Sequence, residues 1–307
     1  LQLAKQFNTT SDIEVRYGIL NAIEEMCSPA KRIQQKSNGM FEFDNNKAMY
    51  LKGTSDPIPE FLAQKLMDYI DNDIDVNPLV NFWKQLLLNP DKAVRQQLYG
   101  FLEHNGHPIT DAGYFLAYKS VAVDNSSSYH INDEGAEHVN YNQNMSFKPH
   151  HNGPHGSVIK VGEPVRMPRA ECDGDPENTC SRGLHVGSME YVGDFGYGDG
   201  SAILECLISP RNVVAVPTDY NFTKMRVCEY YAIAISNGEN QNIYLENDYM
   251  GYDQKQLELD LATYEKEKRQ QIVAIEQEID QMKTVAESIY ATNPLGIEVK
   301  NADSLIF

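Results

Sequence analysis

Apolar positions recur at helical spacing through the first hundred residues. Ile13, Ile19, Leu20, Ile23 and Met26 form one stripe behind Ser11, which is placed to cap it, and Ser28-Pro29 predicts its end. Phe41 and Phe43, then Met49 and Leu51, alternate with polar residues around Asn45-Asn46 and read as a hairpin. Helical spacing returns from about Pro57 (Phe61, Leu62, Leu66, Tyr69, Ile70) and again from Pro78 (Leu79, Phe82, Leu86, Leu87). After a break at Asn89-Pro90, Val94, Leu98, Phe101 and Leu102 mark a further helix that closes at Asn105-Gly106.

From Gly113 the period shortens to two. Residues 113–121 read as a half-buried strand, further strands are predicted at 157–161, 183–186, 202–208, 213–216 and 226–235, and Ser188 is placed to open a short helix. The segments between are too short for repeated helical crossovers, so the sheet should be antiparallel or mixed. Residues 124–157, rich in Asn, Ser, Gly and His, are too long for an ordinary connection and read as a loop.

The last element carries the clearest period. Leu257, Leu261, Tyr264 and Lys268, then Ile272, Ile275, Ile279, Met282, Ala286 and Ile289, step by fours and threes with one extra four near Lys268. That is a heptad seam with a single stutter, and it predicts a helix over residues 253–290, about 55 Å long. Asn293-Pro294-Leu295-Gly296 should stop it. The expected fold is α+β: a mainly helical region with a hairpin over 1–111, a mixed or antiparallel β-rich domain over 112–250, and a coiled-coil-like helix with a short tail over 251–307.

Charge narrows the partners. The 307 residues carry 26 basic and 44 acidic side chains, a net charge of −18. Residues 112–252 hold 18 acids against 9 bases, and the heptad segment 253–307 holds 11 against 6. Such a surface repels phosphate backbones, which argues against duplex nucleic acid. No apolar run approaches a bilayer span, so no integral membrane segment is expected. The N-terminal residues lack the charged-then-apolar pattern of a leader, and five scattered cysteines read as reduced thiols.

The candidate chemistry is thin. Asp71, Asp73 and Asp75 begin like a calcium loop, but Val76 stands where the sharp turn needs Gly and Phe82 where a bidentate Glu is needed. Glu171, Asp173, Asp175 and Glu177 make a second acidic loop without a fixed template. His130, His138, His150, His151 and His155 crowd the long polar stretch but lack the cysteine pair of a structural zinc site. Cys172, Cys180 and His185 suggest a metal site or thiol nucleophile without a base clearly aligned, and Gly196, Gly198 and Gly200 read as a turn. No acid/base pair, triad or cofactor fingerprint emerges, so neither catalysis, metal nor cofactor is expected.

The blocks Gly113-Tyr114-Phe115-Leu116-Ala117-Tyr118-Lys119, Met167-Pro168-Arg169, Thr179-Cys180-Ser181-Arg182-Gly183-Leu184-His185-Val186, Pro210-Arg211-Asn212-Val213-Val214, Pro217-Thr218-Asp219-Tyr220 and Lys224-Met225-Arg226-Val227-Cys228 together resemble the rIIB-like proteins of tailed bacteriophages. Upstream, Asn77 to Leu102 is similar as well, so the resemblance covers roughly residues 12–235. Two departures stand out: the stretch between Lys119 and Met167 is long for the family, and the helix after 250 lies outside its pattern. A helix-turn-helix-like N-terminal segment of some members has no counterpart here.

The resemblance implies a phage accessory protein made in the infected cell, working with an rIIA-like partner in lysis timing and protection against exclusion. It implies a place in the host cytoplasm, peripheral to the inner membrane. Two rival readings stand beside this one, a virion component held by the C-terminal helix and a nucleotide-acting enzyme built on Arg182 and His185. The expected interaction or anion surface comprises Arg169, Thr179, Ser181, Arg182, His185, Arg211 and Arg226, since arginine forks suit carboxylate or phosphate; the competing reading is that they neutralise neighbouring carboxylates. The seam from Leu257 to Ile289 is the expected assembly element, for homo- or hetero-oligomers.

Overall fold

The computed structural model describes residues 2–45, 47–104, 106–123, 146–149, 158–178, 181–195, 201–217, 223–236 and 253–291. The chain divides into two units, Leu1–Leu257 and Glu258–Phe307.

The first unit opens with α1 (Gln2–Thr9), α2 (Ile13–Cys27) and α3 (Pro29–Lys36). Asp12 rather than Ser11 caps α2, because its carboxylate reaches the N–H groups of Glu14 and Val15. Ser28-Pro29 ends α2 and at once starts α3, with the Ser28 hydroxyl as cap and Pro29 where no N–H is needed. The predicted inward stripe of α2 is not buried along its length: Ile19 is, whereas Ile13 and Leu20 are exposed. The hairpin forms as read, β1 (Phe41–Phe43) against β2 (Met49–Leu51) with Phe41 opposite Leu51.

Three helices follow, α4 (Glu60–Asp71), α5 (Asn77–Leu87) and α6 (Lys92–His104). Leu62, Leu66 and Ile70 of α4 are buried, but Phe61 is exposed. α5 is apolar almost all round and buried on both sides, as a central helix must be. Asn81 and Gln85 of α5 and Asn89 just beyond its end lie four apart and face the same edge. Asn81 donates to the Asp111 carbonyl (2.8 Å), Gln85 donates to the Ala112 carbonyl (2.6 Å) and accepts from the Ser209 hydroxyl, and Asn89 donates to Pro210 and Val213 carbonyls (2.9 and 2.8 Å). Three amides thereby stitch the helices to backbone carbonyls at or beside the ends of sheet strands.

The sheet comprises β3 (Phe115–Val123), β4 (Ser146–Pro149), β5 (Ile159–Lys160), β6 (Pro164–Arg166), β7 (Leu184–Gly187), β8 (Ser201–Ile208), β9 (Val213–Ala215), β10 (Lys224–Val227) and β11 (Glu229–Ile235). Every pairing is antiparallel, in the order β6-β11-β8-β3-β7-β10-β9, with β4 on the end of β3 and β5 on β4. The fold is therefore α+β.

Two strand readings need correction. Within 124–157, residues 146–149 are a strand, seated because Phe147 is fully buried; the rest of that stretch lies outside the described residues. The single strand read over 226–235 is two, divided at Cys228. That division curls the sheet. β10 and β11 stand four strand steps apart in the order, roughly 19 Å in a flat sheet at about 4.8 Å per step, yet one residue joins them, which allows at most about 7 Å. The sheet must close on itself in barrel-like fashion, and both faces of β10 become buried: Lys224, Met225, Arg226 and Val227 are all inside.

On one face, Tyr114, Leu116, Tyr118, Ile203 and Leu207 pack with Val192 of α7 (Met189–Phe195), which Ser188 opens by accepting from the Tyr191 N–H. On the other, His107 stacks on Phe101 (5.6 Å, 20°) and meets Phe115 edge-on (6.3 Å, 76°). Its Nδ1 lies 2.7 Å from the Leu116 carbonyl and so carries the proton, leaving Nε2 buried without a partner. Burial lowers its pKa from 6.5 to about 4, against the smaller opposing effect of the Leu116 hydrogen bond. Between these values the unfolded chain binds a proton that the folded one refuses. Stability is thus fully present above 6.5 and falls by up to about 3 kcal/mol as pH drops to 4. Urea midpoints should fall across that window in the parent and fall distinctly less in His107→Phe; parallel profiles would refute the assignment.

The second unit continues α8 (Gln254–Ala291), the predicted 253–290 helix, with the Asp253 carboxylate capping Lys255 and Gln256 N–H groups. Leu257 and Leu261 are buried and Tyr264 is half-buried. Ile272, Ile275 and Met282 are 42%, 55% and 63% exposed, and Ile279 is half-buried. The Ile289 side chain lies outside the described ones.

Candidate functional site

Between β6 and β7 the chain makes a single helical turn at Arg169–Glu171 and then an acidic loop. Asp173 organises that loop. Its carboxylate accepts from Ser181, from the Asp175 N–H (2.9 Å) and from the Asn178 amide (2.9 Å), and these bonds, Ser181 foremost, hold its pKa down to about 2. The loop's contribution to stability is therefore kept at neutral pH and lost only as pH falls from the ordinary carboxylate range toward 2.

Arg226 fastens the loop to the sheet. It stands opposite His185 in the β10–β7 pairing, is 0% exposed, and donates from its two terminal nitrogens to the carbonyls of Asp175 and Asn178. Asp173 is its nearby countercharge, as a buried cation requires. The close approach needs Gly183, where a Cβ would stand 3.3 Å from the Arg226 stem.

Arg169 performs the same task one strand away. It donates to the Arg211 carbonyl (2.9 Å), the Asn89 side chain (3.0 Å) and the Val213 carbonyl (2.8 Å), and also to the Cys228 thiol. Arg182 pairs with Glu171 at the surface, where both are well exposed and the pair contributes little. Arg211 projects outward, and Thr179 lies outside the described residues.

The structure thus brings Arg169, Ser181 and Arg226 together as ties between the loop and the strand ends, with the Arg211 backbone among their acceptors. The two arginines donate to backbone carbonyls, Asn89 and the Cys228 thiol, and Ser181 donates to the Asp173 carboxylate. Exposed on the outside are Glu171, Asp175 and Glu177, so the face this region presents is mainly acidic. Cys172 and Cys228 sit beside Arg169, yet burial, the largest influence on each, raises both thiols, and it pushes Cys206 up to about 12. Lys119 of β3 donates to the His185 carbonyl (2.9 Å) and lies over the Tyr230 ring (5.7 Å), with burial lowering its pKa.

Sequence reasoning missed Asn89, the hub that Arg169 grips; its signal was the spacing of Asn81, Gln85 and Asn89. It also missed a cleft of about 620 Å³ where Lys52 of the hairpin faces Asn77, Asn81 and Lys84 of α5 and Asp111. The histidines at 130, 138, 150, 151 and 155, Cys180, and the glycines at 196, 198 and 200 lie outside the described residues.

The molecule is an α+β protein, a curled antiparallel sheet stitched to a buried helix by side-chain amides and bearing an arginine-tied acidic loop. The family model described as Bacteriophage T4 protein rIIB matches residues 46–241, and the chain belongs to that family. Protein rIIB of Enterobacteria phage T4 is 34% identical over 172 residues, 56% of this chain and 47% of that protein, so the chain spans about half the length of this curated relative. No solved structure matches. The family match begins at residue 46, later than the resemblance near residue 12 suggested, and α8 lies beyond it.

Proposed function

We propose that the chain is a non-enzymatic assembly protein of the infected host cell, acting with an rIIA-like phage partner in lysis timing and protection against exclusion, with α8 as its assembly element. The observation that carries this is the exposed seam: Ile272, Ile275 and Met282 stand in heptad register on a helix of 38 residues. A solvated apolar stripe of that length is unfavourable unless another helix covers it. Family membership supports the phage setting. Among the described residues no helix is long and apolar enough to cross a membrane, which is compatible with a peripheral place at the inner membrane.

The nucleotide-acting alternative gains no support. It would need Arg182 and His185 to converge on an anion, whereas Arg182 pairs with Glu171 and His185 Nε2 is buried. Affinity capture of the tagged chain from infected cells tests the proposal. An rIIA-like phage protein should co-purify, and recovery should fall for the Ile275→Asp/Met282→Asp variant. Capture of the chain alone, or its presence at fixed copy number in purified particles, would refute it.

A further inference from the structure

Resting on the reading of α8 as the assembly element, we infer that two further copies of this chain cover its exposed seam, in a parallel three-stranded coiled coil over residues 272–286. The seam has two parts with different fates. Leu257 and Leu261 are buried, Tyr264 is half-buried, and Lys268 occupies the core position after it. The extra step between Lys268 and Ile272 is a stutter, which rotates the stripe to a new direction. From Ile272 onward the steps are strictly three and four, placing Ile272, Ile279 and Ala286 at a and Ile275 and Met282 at d. This is the part left open to solvent, with Ile272, Ile275 and Met282 all exposed.

Residue identity selects the number of strands. A dimer favours isoleucine or valine at a with leucine at d, whereas isoleucine at both a and d shifts the preference to three or more. Here isoleucine fills a at 272 and 279 and d at 275, and no leucine occurs in this stretch. Val285, at g and 57% exposed, widens the apolar surface beyond the a/d line, as a core shared among more than two helices needs.

Charge selects the direction. In a parallel coil each g residue faces the e residue five positions on in its neighbour, which sets Glu278 against Lys283 of the next copy and repeats the pair around the ring. Antiparallel helices would bring g against g, where Glu278 meets no opposite charge, and e against e, where Glu276 could meet Lys283, so a pair between Glu278 and Lys283 is specific to the parallel arrangement.

Sedimentation equilibrium of the purified full-length protein tests this. Three chain masses are expected, collapsing to one in Ile275→Asp, with circular dichroism confirming that the folded unit is retained. Glu278→Lys and Lys283→Glu should each raise the dissociation constant about tenfold or more, and the two together should restore it. A monomer or dimer in the parent, or a double exchange as weak as either single one, would overturn the inference. A monomeric purified protein that still captures a phage partner through the seam would sink the trimer while sparing the assembly reading. A trimer that captures no partner would do the reverse.

Discussion

Gly113→Ala is expected to lower stability by about 2–5 kcal/mol, a large share of what a domain of this size possesses. Two costs combine at that position. Gly113 has φ +81°, in the left-handed region where a Cβ costs about 1–2 kcal/mol. The Cβ would also stand 2.3 Å from both the Asn81 carbonyl carbon and the Phe82 nitrogen. Those are main-chain atoms of α5, a helix buried on both sides, so relief requires moving the helix rather than turning a side chain, at a further cost of about 1–3 kcal/mol or more. Gly162 supplies the control. Its φ is +88° but nothing lies within 4 Å of a Cβ there, so Gly162→Ala should show the dihedral cost alone. The protein's one tryptophan, Trp83, is buried in the affected helix and reports the transition directly. Equal urea midpoints for the two variants would show that the close approach does not matter.

That contact also marks where sequence reading stopped. The hairpin, the span of α5 and α6, most strands and α8 were legible because each follows from a local period and a local stop signal. α1 was missed because Gln2–Thr9 offers only Leu3 and Phe7 as a pattern, and Phe7 is supported by the Arg16 guanidinium 5.0 Å above it. The split at Cys228 was invisible because 224–235 carries no Gly, Pro or Asn to mark a break; only the pairing of its halves with β7 and β8 reveals the curl. Arginines at 169 and 226 were read as part of an interaction or anion surface, but their partners come from residues up to 80 positions away, such as Asn89. A carbonyl acceptor leaves no trace in sequence, so a buried strut and an exposed anion site look alike there.

Asn89→Ala separates those two roles. Asn89 is 1% exposed and makes four hydrogen bonds: it donates to the Pro210 and Val213 carbonyls and accepts from the Asp91 N–H and from Arg169. With about 1 kcal/mol for each neutral bond and more for the charged one, its removal should cost about 3–5 kcal/mol. Arg169→Ala alone should cost about 2–4 kcal/mol through the loss of Asn89, Arg211 and Val213 as acceptors. If the pair acts as one tie, the double variant falls short of the sum by about 1–2 kcal/mol, read from urea midpoints. Arg169→Lys should rescue little, because an ammonium cannot span three acceptors as the planar fork does. An anion-binding Arg169 behaves otherwise: inorganic phosphate would raise the parent's melting temperature and not that of Arg169→Ala, and stability without phosphate would barely change. The tie requires the opposite on both counts, since phosphate would have to displace acceptors already held at 2.8–3.0 Å.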